Sequence, residues 1–341
     1  MRVRSFDDAM VRDAVGTRFT AAVLRIEHRG EAVFERAYGR LAGAPGATPA
    51  NVTTRFDLAS LTKIAVAHAA LDAVAAGALD LDATLARWFP TWRGTRREAI
   101  TLRMLLAHTA GMASGADYRT LFCENVESFA IARDLVARPG ERVVYSDLGF
   151  IALGALLGRF SEFSLRSVVT RSLRNIGAIQ SDFRPRNDDS DAIPATELDA
   201  WRGRVRGAVH DEKAYLMGGV AGHAGLFGTA YDIARLADAY LAVATGRASS
   251  SVRAEATREH GADPILRRGL GWALKTSDEN SSGGIASQRT FGHTGFTGTC
   301  VWADPARDTS VVLLTNAVYF GRRDLRDLRA AVCDAAFTAF C

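Results

Sequence analysis

Residues 289–318, RTFGHTGFTGTCVWADPARDTSVVLLTNAV, decide the fold of this 341-residue chain. They hold two apolar runs of strand length, each bounded by Gly, Asp or Pro, and the run GLGWALK at residues 269–275 precedes them. Three consecutive runs of this kind predict an antiparallel meander. Residues 323–340 then show helical periodicity, so this last segment is expected to pack against the meander.

The beginning of the chain also has strand character. Residues 20–38, TAAVLRIEHRGEAVFERAY, alternate apolar and polar positions around Arg29-Gly30 and predict a β-hairpin preceded by a helix. Between the two strand regions, Ala- and Leu-rich segments at residues 60–79, 102–108, 126–137 and 148–160 predict helices, and residues 181–194 predict a surface loop. The arrangement indicates one α/β (α+β) domain, residues 1–341. It comprises an antiparallel sheet flanked by helices (1–55 plus 230–341) and an inserted all-helical lobe (56–229).

Composition excludes several classes of protein. The 42 basic and 38 acidic residues are spread along the chain and leave a net charge of +4, which is unlike a nucleic-acid-binding surface. No window approaches the ~20 apolar residues of a membrane span, and the acidic N-terminal stretch differs from a signal peptide, so we expect a cytoplasmic protein. Cys123, Cys300, Cys333 and Cys341 are widely spaced and are expected to be free thiols.

Neither a metal nor a cofactor is expected. His108, His223 and the run 210–212 match no common spacing of metal ligands. The Gly-rich residues 218–228 lack the frame of a phosphate-binding loop.

The first candidate for chemistry is Ser60-Leu61-Thr62-Lys63, where a loop enters a long apolar helix. Residues three apart share a helix face, so Lys63 would lie beside Ser60 and would act on its hydroxyl as a base or as a cation. Lys63, Lys213 and Lys275 are the only lysines, which makes each a candidate for losing its proton, a role closed to arginine. The alternative is an N-cap serine followed by an exposed lysine.

Two more motifs invite a functional interpretation. Tyr145-Ser146-Asp147 begins another apolar helix, where it either projects a tyrosine into a cleft or merely caps the helix. The glycine-rich strand segment 292–298, GHTGFTG, either offers backbone N–H groups to an oxyanion or packs closely against a helix.

Together these motifs resemble a known family. With LDLDATLARWFP (79–90), ITLRMLLAHTAGM (100–112), VHDEKAYLMGGVAGHAGLFGTAYDIARLA (209–237) and VVLLTNAV (311–318), the chain is similar to serine penicillin-recognising hydrolases of the class C β-lactamase type. That group includes D-alanyl-D-alanine carboxypeptidases, D-aminopeptidases and family VIII carboxylesterases. The resemblance implies a β-lactamase/transpeptidase-like fold.

The resemblance also implies a role for each motif. Ser60 would be the acylated nucleophile, Lys63 its helix neighbour and Tyr145 the proton shuttle. The opposite wall would come from His293, Thr294 and Gly295, and the oxyanion hole from the backbone N–H groups of Ser60 and Phe296. Asn316 would be either an outer substrate contact or a plain strand terminus. Because a free tyrosine ionises only near pH ~10, the Lys63 ammonium would have to favour its phenolate form.

Two positions depart from the family pattern. Asp147 replaces the usual asparagine, and an ionised carboxylate cannot donate to a substrate carbonyl. Its charge would also hold Lys63 protonated and oppose a Tyr145 phenolate, so we expect either a weaker grip on amides or a protonated Asp147. His293 stands where many lactamases and peptidases carry lysine, and a neutral imidazole binds a substrate carboxylate less well.

These departures favour a carboxylesterase that acts on small esters through an acyl-enzyme, with at most weak β-lactamase activity. A D-amino-acid-specific peptidase or carboxypeptidase is the second interpretation. A protein that is acylated without turning over is the third. In each case the partner is a small-molecule ester or amide, and neither nucleic acid nor a membrane is expected.

Overall fold

The computed structural model describes residues 6–184, 191–261, 263, 265–277 and 280–340. The strands of these residues are β1 Ala21–His28, β2 Glu31–Gly39, β3 Phe56–Asp57, β4 Asp182–Phe183, β5 Leu198–Asp199, β6 Gly203–Arg204, β7 Leu226–Gly228, β8 Ala273–Leu274, β9 Phe291–Thr294, β10 Cys300–Asp304 and β11 Thr309–Thr315. The α-helices are α1 Ala9–Arg12, α2 Leu61–Ala75, α3 Leu102–Leu106, α4 Val126–Ala132, α5 Asp147–Ser161, α6 Leu165–Asn175, α7 Glu212–Leu216, α8 Ala230–Ala244, α9 Ser251–Ala256 and α10 Arg326–Ala339.

The main sheet joins the two ends of the chain. Its six antiparallel strands follow the order β2-β1-β11-β10-β9-β8, so the predicted hairpin is present and meets an antiparallel meander where β1 pairs with β11. The meander has four strands instead of the predicted three, because residues 289–305 divide into β9 and β10. Arg29 and Gly30 have φ values of 56° and 82°, the left-handed pair that a two-residue type I′ hairpin turn requires.

The predicted strand at 269–275 shortens to the two residues of β8. Gly271, at φ 81°, lies against α2 so closely that a Cβ there would come within 2.3 Å of the Ala67 Cβ. Its N–H donates to the Leu106 carbonyl, 2.8 Å away. This segment therefore packs against helices instead of extending the sheet.

Both faces of the sheet are covered. In β11, Val312 and Leu314 belong to the core that contains α8, whereas Val311 and Leu313 belong to the core that contains α10. Since successive strand residues point to opposite faces, an entirely apolar strand of this kind is typical of a sheet buried on both sides.

Residues 56–229 are mainly helical, with α2 buried from Leu61 to Leu71 and packed near α5 and α6. They also include a small sheet of order β3-β7-β4 and the pair β5-β6. Strand β4 lies in the stretch predicted as a loop, of which residues 185–190 fall outside the described residues. The lobe boundaries at residues 55 and 230 stay a prediction.

Three of the cysteines, Cys123, Cys300 and Cys333, are free thiols; Cys341 falls outside the described residues. Across the part of the chain that the structure describes, no single helix is long and apolar enough to cross a membrane; α5 and α6 pass that test only as a pair, bent by 87°.

Candidate active site

The turn between β3 and α2 presents Ser60. Ala59 adopts φ 46°, a left-handed conformation that costs a non-glycine residue free energy and often marks a functional site. The Asp57 carboxylate accepts a hydrogen bond from the Ala59 N–H at 2.9 Å, and Thr297 donates to the Asp57 carbonyl at 2.8 Å. These contacts hold the strained turn and place Ser60 at the N-cap of α2.

Lys63 lies directly behind the serine. It is fully buried, and its ammonium donates to Ser60 Oγ at 3.0 Å and to the His223 carbonyl at 3.0 Å, and contacts Asp147 Oδ1 at 2.8 Å. Three acceptors satisfy the three protons of an ammonium group. The alternative of a capping serine with an exposed lysine is therefore wrong.

The charges at this point belong to an ion pair. Burial alone would lower the pKa of Lys63, but Asp147 and Tyr145 together outweigh it and raise that pKa. Burial would likewise raise the pKa of Asp147, yet the positive charges around it, that of Lys63 above all, hold it below its usual value. Lys63 is thus a cation and Asp147 an ionised carboxylate. The expectation of a lysine that loses its proton fails for Lys63, as does the option of a protonated Asp147.

Tyr145 enters the site from the start of α5. Ser146 does cap this helix, accepting from the Gly149 N–H at 2.8 Å, so the motif serves as a cap and also presents the tyrosine. His108, at φ 60°, accepts from the Ser146 N–H at 3.0 Å, and its ring centre lies 4.6 Å from that of Tyr145. The Lys63 Nζ lies 5.0 Å from the centre of the tyrosine ring.

Strand β9 forms the facing wall, where His293, Thr294, Gly295 and Phe296 all line the same cavity as Ser60 and Tyr145. A Cβ on Gly295 would come within 2.6 Å of the Leu58 carbonyl oxygen, so only glycine lets this wall approach the serine turn.

His293 is a neutral imidazole. Burial, reinforced by the charges of Arg268 and Lys63, lowers its pKa to about 3. Its Nδ1 is 2.8 Å from the Thr294 carbonyl oxygen, which only accepts, so Nδ1 carries the proton and Nε2 is an acceptor.

Two backbone N–H groups of residues that line the cavity have no acceptor among the described residues. They are the N–H groups of Ser60 and Phe296. Donors left free at this position are what stabilisation of a tetrahedral intermediate requires.

The cavity has a volume of about 680 Å³ and is rich in arginine, with Arg267, Arg268, Arg322, Arg323 and Arg329 in its lining. Arg268 is only 8% exposed and forms no ion pair within the described ranges, and its Nε has no hydrogen-bond partner there. Its guanidinium carbon lies 5.2 Å from the Tyr145 ring centre. The sequence analysis missed Arg268, because no local pattern distinguishes it from a solvated arginine.

Asn316 is not brought to the cavity. It is 1% exposed, and its carboxamide accepts from the backbone N–H groups of Thr20 and Ala21 and donates to the Ala195 carbonyl. These bonds tie β11 to the start of β1, which favours the alternative of a strand terminus over that of an outer substrate contact.

Asp211, Lys213 and His223 were not predicted as site residues, yet they adjoin Asp147. Lys213 Nζ lies 3.4 Å from Asp147 Oδ2 and 3.2 Å from Asp211 Oδ2, and His223 Nε2 lies 2.8 Å from Asp211 Oδ1. The rarity of lysine and the quoted stretch 209–237 were the available signals. Asp147, Asp211 and His223 present ligand atoms within 4.8 Å of one another, but the ammonium groups of Lys63 and Lys213 already neutralise the two carboxylates, so the donor set does not suit a metal.

This geometry is that of a serine hydrolase with a serine–lysine–tyrosine centre. A family model described as Beta-lactamase matches residues 7–335, and the chain belongs to that family.

Relatives and solved structures agree with this assignment. A putative D-alanyl-D-alanine carboxypeptidase of Salmonella agona (strain SL483) is 29% identical over 359 aligned positions, covering 91% of this chain and 81% of the relative. The fold is similar to that of EstCE1, a hydrolase with promiscuous acyltransferase activity (TM-score 0.78, 22% identity, 96% and 97% of the two chains). It is also similar to a β-lactamase/D-alanine carboxypeptidase from Pseudomonas syringae (TM-score 0.76, 18% identity, 97% of each chain).

Proposed function

We propose that the protein is a carboxylesterase that hydrolyses small esters through an acyl-enzyme on Ser60, with weak β-lactamase activity. The observation that carries this proposal is the 3.0 Å hydrogen bond from the buried Lys63 ammonium to Ser60 Oγ, in a cavity that Tyr145 also lines. An ammonium in this position stabilises an alkoxide, which makes a weakly nucleophilic hydroxyl reactive.

The chemistry follows from the charges. Because Lys63 keeps its proton, Tyr145 is the group that accepts the Ser60 proton as Ser60 Oγ attacks the substrate carbonyl. Negative charge then develops on the carbonyl oxygen, which the N–H groups of Ser60 and Phe296 receive; one such donor contributes a factor of about 10²–10³ in rate. Tyr145 passes its proton to the leaving group. In the second half of the reaction Tyr145 takes a proton from a water molecule as that water attacks the acyl carbonyl. The bond to Ser60 Oγ then breaks, Tyr145 returns the proton to Ser60 Oγ, and the acid departs.

His293 favours esters over substrates that carry a carboxylate at β9. Its pKa is lowered to about 3, so the ring brings no positive charge to β9 at neutral pH. A neutral imidazole attracts a substrate carboxylate less than a cationic side chain does. An ester without a carboxylate does not need such a charge.

A second candidate is a D-amino-acid-specific carboxypeptidase, and Arg268 favours it. No described carboxylate forms an ion pair with this guanidinium. Burying an unpaired guanidinium costs several kcal/mol of desolvation, which a substrate carboxylate would recover. The name of the Salmonella agona relative agrees with such a substrate. In this case the carboxylate would bind at Arg268 and not at His293.

The decisive experiment compares a neutral p-nitrophenyl ester, a p-nitrophenyl ester whose acyl chain ends in a carboxylate, and a D-alanyl-D-alanine peptide. Intact-protein mass spectrometry follows acylation and release with each substrate and with a penicillin. We expect turnover of the neutral ester and none in Ser60→Ala. A faster reaction with the peptide, lost in Arg268→Met, would establish the carboxypeptidase. An acyl-enzyme that forms and persists with every substrate would refute both.

A further inference from the structure

A closed ring of charged groups lies beneath Ser60, and only part of it belongs to the proposed machinery. Lys63 contacts Asp147 at 2.8 Å, Asp147 contacts Lys213 at 3.4 Å, and Lys213 contacts Asp211 at 3.2 Å. His223 closes the ring, since its Nε2 lies 2.8 Å from Asp211 and its carbonyl accepts from Lys63 at 3.0 Å. The ring joins α2, α5, α7 and the loop before β7.

The negative charge of Asp147 is unfavourable for the proposed chemistry unless another group in the ring offsets it. Its carboxylate lies beside the ammonium that serves Ser60, and that ammonium lies 5.0 Å from the Tyr145 ring centre. An uncompensated negative charge here would oppose the negative charge that Tyr145 carries as a base. It would also draw the Lys63 ammonium away from Ser60.

Lys213 supplies the compensation. It lies on the short helix α7, is 8% exposed, and places its ammonium between Asp147 and Asp211. Burial would lower its pKa, but the charges of Asp211 and then Asp147 outweigh burial and raise it, so Lys213 is a permanent cation at neutral pH. Two ammonium groups therefore face two carboxylates.

His223 and Asp211 hold this second ammonium in place. Asp211 caps α7 by accepting from the Ala214 N–H at 2.8 Å while its other oxygen faces Lys213. Gly222 allows the loop to approach α5, because any Cβ there would come within 1.9 Å of the Phe150 carbonyl oxygen. The loop thus brings the His223 carbonyl to Lys63 and its ring to Asp211.

We propose that Lys213 is a positioning residue that offsets the charge of Asp147, leaving the Lys63 ammonium directed at Ser60. The chain carries both a carboxylate beside Lys63 and, on a separate helix, the cation that compensates for it. This inference rests on the proposed function, since it assigns the ring to the activation of Ser60 and Tyr145.

A double-mutant cycle tests the proposal with Lys213→Met, Asp147→Asn and the double variant, each assayed for ester hydrolysis as a function of pH. Lys213→Met should lower kcat/KM at pH 7 by about tenfold and move the acidic limb of the profile up by about one pH unit, because one pH unit corresponds to tenfold. Adding Asp147→Asn should return the limb to near its wild-type position. A double variant as impaired as Lys213→Met would overturn the proposal, because a purely structural lysine is not rescued by removing a charge.

An ion pair outside the cavity lining provides the control cycle. Arg103 and Asp82 lie 2.7 Å apart at the surface, and Arg103→Met with Asp82→Asn should leave the pH profile unchanged. The cycle is also measured by urea denaturation, which requires no activity. Coupling between Lys213 and Asp147 in unfolding supports the charge pairing even if the wild type proves inactive and the proposed function fails. Additive effects in unfolding refute the pairing whatever the activity.

Discussion

Replacing Asp147 by asparagine should shift the acidic limb of kcat/KM for ester hydrolysis to lower pH. The side chain keeps its size but loses a negative charge that contacts the Lys63 ammonium at 2.8 Å. Lys63 and Lys213 both remain protonated, so the net charge beside Tyr145 becomes more positive. A more positive surrounding favours the deprotonated form of a catalytic base, so the acidic limb moves to lower pH.

The distances set the size of the shift. Lys63 Nζ lies 2.8 Å from Asp147 Oδ1 and 5.0 Å from the Tyr145 ring centre, so the carboxylate is within about 8 Å of the ring. At an effective dielectric constant of about 20, two unit charges at that separation interact with about 2 kcal/mol. That energy corresponds to about 1.5 pH units.

The assay measures kcat/KM for a short-chain p-nitrophenyl ester between about pH 4.5 and 9. Asp82→Asn, at a surface ion pair, is the matched control. The variant should also hydrolyse amides and β-lactams faster, because the new amide can donate to a substrate carbonyl. A limb that stays in place or moves to higher pH would refute the electrostatic reasoning.

Three further predictions concern stability and the assignment of residues. Burial lowers the pKa of His293 to about 3 and that of His108 well below 6.5, so as the pH falls the unfolded chain binds protons at these histidines before the folded chain does. The free energy of unfolding should therefore fall below pH 6.5, by ~1.4 kcal/mol per pH unit for each histidine. Urea titrations should show a smaller fall for His293→Gln than for the wild type. Gly222→Ala should destabilise the protein by about 2–3 kcal/mol in urea denaturation, because its Cβ has no room beside α5; an unchanged midpoint would contradict the close approach. Asn316→Ala should lower the free energy of unfolding by about 1–3 kcal/mol and leave KM unchanged, because the buried backbone N–H groups of Thr20 and Ala21 lose their acceptor. A raised KM with unchanged stability would instead support a substrate contact by Asn316.

Much of the fold was accessible from local pattern. Alternation around Arg29-Gly30 predicted the hairpin, and the apolar runs at 289–318 predicted the meander, because strand periodicity and turn chemistry act over a few residues. Helix ends were less accurate: the first long helix stops at Ala75 instead of residue 79, just before Gly77, which adopts φ 70°. Strand β8 is shorter than predicted because Gly271 packs against α2, and no residue near Gly271 in the sequence predicts that contact.

The candidate site also contains residues that local motifs predicted and one that they did not. Ser60, Lys63, Tyr145 and the β9 wall were predicted as motifs, and they do line or adjoin one cavity. Arg268 was not predicted, because its distinguishing property is burial without an ion pair among the described residues, and burial depends on every segment around it.

By itself the sequence determined the kinds of groups available, because helical spacing and capping are short-range properties. These groups are a serine three residues before a rare lysine, a tyrosine at the start of a helix and a glycine-rich strand. Tertiary structure alone decided which charges face one another. The distant partners of Lys63 come from residues 147 and 223, and the distant partner of Lys213 comes from residue 147. Protonation follows from these long-range distances and from burial, so the chemistry of each lysine was settled only when the chain folded.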